Sequence, residues 1–191
     1  MSSIWPDGFE RIPTGDWASK PVEQLALGYD TVEHHGWYRN LEPTLRHLEN
    51  NLTPGDILLD YSGGTGILAE RLFQRLPDLR FGLLIIDSSP KFLRLALEKL
   101  RHSDRAGFRL IRFLRPAKRL QFVHEVLEGT LLDRGIDLLV STNAIHLYYD
   151  LPGTLNSWAK VLKPGGRIHI QSGNIRNPEA GPEEWIIDET V

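Results

Sequence analysis

The chain has 191 residues, 41% of them apolar and 25% charged, with a formal net charge of −3, which describes one ordinary globular domain and argues against nucleic acid or an anionic membrane as partner. It contains no cysteine, so disulfides, thiolate metal sites and cysteine nucleophiles are excluded. No run of about 18 apolar residues occurs, and Met1–Asp7 lacks the basic region and apolar stretch of a secretory signal, so the expectation is a cytoplasmic protein.

In chain order, residues 1–20 are rich in Pro, Gly and Asp and carry Trp5 and Trp17, which predicts an irregular arm. Two helices are expected next, Pro21 to about Val32 and Leu41 to about Asn51, with Pro21 and Pro43 in first turns and Pro54-Gly55 as the stop. The segment from Gly28 to Tyr38 is rich in aromatic and imidazole groups and reads either as a lid or as an anchor of the arm. His34-His35 does not read as a metal pair, because adjacent residues do not share a helix face and no third ligand is evident. From Asp56 onward strands and helices alternate. Strands are expected over Asp56–Tyr61, Leu79–Ile86, Phe108–Leu114, Ile136–Ser141 and Arg167–Gln171. The intervening helices are Ile67–Leu76, Pro90 to about Arg101 with Ser88 or Ser89 as N-cap, about Leu120–Leu132, and Leu155–Leu162 stopped by Pro164-Gly165-Gly166.

This alternation predicts an α/β fold, a doubly wound and mainly parallel sheet covered on both faces. Residues 1–52 would form an arm with lid helices and residues 53–191 the α/β core, within one structural domain. The last residues, Glu183 to Val191, read as an element just beginning, so the sheet is expected to be truncated after its fifth strand. A truncated edge invites pairing with another chain, and a homodimer is the corresponding expectation.

The chemistry concentrates in Ile57-Leu58-Leu59-Asp60-Tyr61-Ser62-Gly63-Gly64-Thr65-Gly66. An apolar strand runs into an acid, then a glycine-rich turn, then a helix start. Such a turn lets the backbone approach a ligand closely and aims free N–H groups at it. Asp87, at the tip of the second strand, is placed to accept from a ribose diol. Together these point to a nucleoside-containing cofactor. Gly64-x-Gly66-x-x-Ala69 also satisfies a dinucleotide pattern, so a nicotinamide-dependent oxidoreductase is an alternative. No Tyr-x-x-x-Lys pair for hydride chemistry is recognisable.

Four separated segments resemble the class I S-adenosylmethionine-dependent methyltransferases, in particular their small-molecule branch. They are Asp60 to Gly66, Ile86-Asp87-Ser88-Ser89-Pro90-Lys91-Phe92-Leu93, Asp137 to His146, and Trp158-Ala159-Lys160-Val161-Leu162-Lys163-Pro164-Gly165-Gly166. They occur in the family's order and span residues 57–171. The resemblance implies a Rossmann-like methyltransferase fold, S-adenosylmethionine as cofactor and methyl transfer to a small-molecule acceptor, with no metal and no nucleic-acid partner. It implies that Ser62, Gly63, Gly64 and Gly66 pass beside the methionine portion, and that Asp60 faces its amino group. Asp87 would bind the ribose hydroxyls, Ser88 would lie beside the adenine and Phe92 on its face, and Asn143 and Ala144 would line the floor. Tyr29 is the candidate aromatic contact near the sulfonium.

Structural readings stand beside these. Asp60 and Asp87 could be caps, Phe92 core, Asn143 a turn residue, and His146 either a general base or a structural histidine. The catalytic residue is otherwise unknown. Two positions depart from the family. Ser62 replaces a glycine, which suits it only if that position avoids positive φ. Leu114-Arg115-Pro116 stands where an acid often binds the adenine amino group. The missing acid and the truncated end leave a non-catalytic binding module as a further alternative. The basic run Arg101, Arg105, Arg109, Arg112, Arg115, Lys118 and Arg119 reads as a solvated face.

Overall fold

The computed structural model describes residues 3–19, 41–148 and 150–172. The expected helix from Pro21 to Val32, Tyr29, His34 and His35 lie outside the described residues, as does the segment from Glu183 to Val191.

Strands β1 (Ile57–Tyr61), β2 (Gly82–Asp87), β3 (Ala106–Leu110), β6 (Ile136–Thr142) and β7 (Leu162–Gln171) form one sheet in the order β3-β2-β1-β6-β7, with every neighbouring pair parallel. Strands β1 and β2 are buried at every position, as expected of a sheet covered on both faces. Alternate side chains enter two cores. Leu58, Leu83 and Ile85 pack with α2 (Leu41–Asn51), α3 (Ile67–Arg75) and α4 (Pro90–Leu100) through Leu45, Leu72 and Leu97. Ile57, Leu59 and Leu84 pack on the other face with α5 (Gly129–Arg134) and α6 (Leu151–Val161) through Leu131 and Trp158. The α/β, parallel, doubly wound architecture is the one expected.

The arm is more ordered than its composition predicts. Residues Asp16–Ser19 form a short helix, α1, and both Trp5 and Trp17 are buried. The Trp5 indole crosses β2 and β3 where each carries glycine. A Cβ on Gly82 or Gly107 would lie 3.1 Å from its Cη2. Trp5 Nε1 donates to the Asp104 carbonyl at 2.8 Å.

The second strand starts at Gly82 rather than Leu79 and the third at Ala106 rather than Phe108, and four further boundaries differ for local reasons. The third strand ends at Leu110. Phe113–Leu114 (β4) instead pairs antiparallel with Arg119–Leu120 (β5) across a turn in which Lys118 takes φ 51. The helix expected over Leu120–Leu132 is therefore replaced by β5, a 3-10 turn at Val123–Glu125 and α5. Glu125 terminates the run by accepting from the Phe122 N–H at 2.7 Å and pairing with Arg119, and Gly129 turns at φ 55. Helix α6 starts at Leu151, not Leu155, because Asp150 caps it by accepting from the Gly153 N–H at 2.9 Å, with Pro152 in the first turn. The Pro164-Gly165-Gly166 turn is absorbed into β7, whose register against β6 shifts between Ile136 and Leu138.

The basic run is not a uniformly solvated face. Arg105 donates to the carbonyls of Leu76 and Leu79 and lies over the Phe73 ring at 4.3 Å. Arg109 donates to the Glu10 carbonyl and lies over Phe9 at 4.4 Å. Arg119 pairs with Glu125. These arginines tie surface segments to the core, while Arg112, Arg115 and Lys118 are exposed.

Candidate functional site

The sheet order reverses around β1. Strands β2 and β3 lie on one side and β6 and β7 on the other, so a crevice opens at the carboxyl ends of β1 and β6, where open α/β sheets bind ligands. A cavity of about 410 Å³ occupies that place. Asp60, Ser62, Gly63, Gly64, Asp87, Ser88, Phe92, Asn143 and Ala144 all line it. Two expected residues do not. Gly66 (φ 78) is the N-cap of α3 and packs instead against α4, where an added Cβ would meet Leu100 and Ala96. His146 is exposed on a 3-10 turn at Ile145–Leu147 and stays off the cavity wall.

The loop after β1 is stitched to the end of β2. Gly63 N–H donates to the Ile86 carbonyl at 3.1 Å, and Gly64 N–H to Asp87 Oδ2 at 2.9 Å. Gly63 is required by space. A Cβ there would stand 2.6 Å from Asp60 Oδ2 and 2.9 Å from Ile85 Cγ2. Asp87 also accepts from the Ser89 N–H at 2.7 Å through Oδ1 and from the backbone of Ser88. The N-cap of α4 is Ser89, whose Oγ accepts from the Phe92 N–H at 3.3 Å. Asp87 is thus a loop anchor rather than the cap itself.

Asp60 caps nothing. Both its oxygens are buried without a hydrogen-bond partner among the described residues. Burial first, and the charge of Asp87 second, push its carboxyl up to about 7. Burial also raises Asp87, opposed by backbone donors from Ser89, Gly64 and Ser88. A buried carboxylate without a partner is costly, and burial here favours its protonated form.

Ser62 corrects an expectation, because it adopts φ 64 rather than avoiding the left-handed region. Asn143 combines its two readings: at φ 53 it turns the chain after β6, donating its N–H to the Gln171 carbonyl at 2.9 Å, and it lines the cavity. Sequence reasoning missed Leu41, Leu120, Thr142, Leu147 and Tyr148, which complete the wall. None carries a local signal, because their elements meet only in the fold. Leu120, from β5, adds an apolar side chain to this wall. A wider cleft of about 1190 Å³ lies between the arm and the end of β3, lined by Phe9, Trp17 and Arg109 among others. It holds none of Ser62, Gly63, Gly64, Asp60 and Asp87.

Fold and site together define a Rossmann-like protein with a nucleoside-cofactor crevice. The chain belongs to the methyltransferase-domain family, which matches residues 59–168. It is 27% identical to the ubiquinone/menaquinone biosynthesis C-methyltransferase UbiE of Coxiella burnetii, over 95% of this chain and 69% of that protein. Its fold is similar to a chain of the complex between the Haloferax volcanii Trm112 methyltransferase activator and a methyltransferase, with TM-score 0.55, 21% identity and 78% of this chain covered. It is also similar to Haemonchus contortus phosphoethanolamine N-methyltransferase 2, solved in complex with phosphomonomethylethanolamine and S-adenosylhomocysteine, with TM-score 0.52, 22% identity and 71% covered. The chain spans 58% of the first of these structures and 28% of the second. The family match decides against the nicotinamide reading.

Proposed function

We propose that the protein transfers a methyl group from S-adenosylmethionine to a small-molecule acceptor. The observation that carries this is Asp60, a fully buried carboxylate that faces the cavity without a partner among the described residues. The cofactor's ammonium group is the complement such a carboxylate needs. Asp87, at the tip of β2 on the cavity wall, would take the ribose hydroxyls. The turn through Gly63 and Gly64 would lie beside the methionine portion, Phe92 and Leu120 would hold the adenine through apolar contact, and Asn143 and Ala144 would form the floor. A role for Tyr29 and the lid segment belongs to the same reading.

When bound, the cofactor supplies an already activated methyl group. The protein's work is alignment and exclusion of water, which can lower such a barrier by about 7–11 kcal/mol. A base is needed only for an acceptor that carries a proton, so the lack of a dyad at the cavity among the described residues is compatible with catalysis, and His146 is not required. The resemblance to a C-methyltransferase favours a carbon acceptor. A cytoplasmic location is part of the proposal; among the described residues no helix is long and apolar enough to cross a membrane. So is a homodimer, supported by β7, where Ile168 and Ile170 are each 40% exposed on a strand paired only with β6 among the described residues.

Isothermal titration calorimetry with S-adenosylhomocysteine tests the cofactor. One site per chain is expected, with NADH silent. Absence of binding to well-folded protein would overturn the reading. Turnover against carbon, hydroxyl, amine and thiol acceptors then separates the enzyme from a binding module.

A further inference from the structure

Ser62 occupies a backbone conformation that its side chain disfavours. The left-handed region costs an L-residue about 1–2 kcal/mol, and serine has no special tolerance for it, unlike asparagine or glycine. Something must hold it there. The Tyr148 hydroxyl donates to Ser62 Oγ at 3.2 Å and lies 2.7 Å from Ser141 Oγ. A phenol has one proton. Since that proton goes to Ser62, Ser141 donates to Tyr148, and a directed chain runs from β6 through Tyr148 to the loop after β1. Burial raises the Tyr148 hydroxyl to about 12, so it stays a donor. Its ring is fixed edge-on against Tyr61 at 5.4 Å and Trp158 at 5.9 Å, and Ser141 is fully buried. The donor is therefore held on a rigid support, while Ser62 opens the turn whose Gly64 N–H grips Asp87.

We propose that Tyr148 is a positioning residue for the cofactor loop, using its hydroxyl to lock Ser62 in the left-handed conformation and so to set the turn through Gly63 and Gly64 and the aim of Asp87. The lock substitutes for the glycine that would adopt this conformation unaided. Its effect on ligand rests on the cofactor reading above, while the lock itself does not.

A double-mutant cycle on the full chain tests it, with S-adenosylhomocysteine affinity as the readout. Tyr148→Phe keeps the ring and removes the donor, and should weaken binding about tenfold, the equivalent of one hydrogen bond. Ser62→Ala removes the acceptor and should do the same. In a Ser62→Gly background, where glycine needs no lock, adding Tyr148→Phe should change affinity less than about twofold. Equal loss from Tyr148→Phe in both backgrounds, or no loss in the Ser62 background, would overturn the proposal. The same cycle in ligand-free melting temperature should show Tyr148→Phe lowering it more where Ser62 is present than in the Ser62→Gly background, the loss of the Ser141 partner being common to both. If the wild type binds no S-adenosylhomocysteine, the cofactor reading fails, and the melting cycle still decides the lock.

Discussion

The Asp60 carboxyl, with a pKa pushed from 3.8 up to about 7 by burial and then by Asp87, makes ligand-free stability and ligand affinity move in opposite directions with pH. Between those values the folded chain holds a proton that the unfolded chain has released, so this group's contribution to stability falls as pH rises from about 4 to about 7. A cationic partner favours the ionised form and expels that proton. S-adenosylhomocysteine affinity should therefore rise with pH between about 5.5 and 7, by up to tenfold per unit, and level off above. Calorimetry in buffers of different ionisation enthalpy would read the released proton. Asp60→Asn should flatten the profile and, without ligand, raise the melting temperature at pH 8 but not at pH 4. A profile unchanged in Asp60→Asn would detach Asp60 from the ligand. The acids and glycines of this site were legible from sequence because acid type, glycine type and spacing are themselves the signal. Tyr148 was not, because nothing in its neighbourhood reports that β6 will carry it to a serine 86 positions away.

Among the elements, the arm is docked in large part through one indole. Trp5 lies over Gly82 and Gly107, and its Nε1–H is bonded to Asp104. Replacing Trp5 with Ala should destabilise the protein by about 3–5 kcal/mol, the range for large-to-small aromatic changes in a core, with the denaturant midpoint lowered in urea unfolding. A loss below about 1 kcal/mol would mean that the arm docks instead through Trp17 and through Arg11, whose guanidinium donates to the carbonyls of Ser103 and Ala106. The composition of residues 1–20 hid this, since Pro- and Gly-rich segments read as loops whether or not they are anchored. The helices α2, α3 and α4 were legible within a residue at most ends because they carry apolar periodicity and stop signals. The segment from Leu114 to Leu132 was not. Its apolar spacing suits a helix, but Glu125 and Gly129 close short turns, and local capping outweighs a weak period.

For the molecule as a whole, a site assembled from β1, β2, β6 and α4 should report occupancy globally. Ligand at 100 times its dissociation constant adds about 2.7 kcal/mol to stability. For a chain of this size that is a rise in melting temperature of roughly 5–10 °C. S-adenosylhomocysteine should produce this shift in a thermal melt and NADH should not. A shift with NADH alone would revive the dinucleotide reading.

The sheet's connectivity also sets an order in time. Every pair in the five-stranded sheet is parallel, so none can zip from a tight turn. The contact that joins β1 to β6, the Ile57 N–H bonded to the Asp137 carboxylate, spans 80 residues of sequence. Closing so long a loop is entropically unfavourable until the rest of the core rewards it. The glycine turn and Tyr148 stand on opposite sides of that closure. On refolding, helical signal and compaction can therefore precede a usable crevice, and the capacity to take up ligand should be among the last properties the chain recovers.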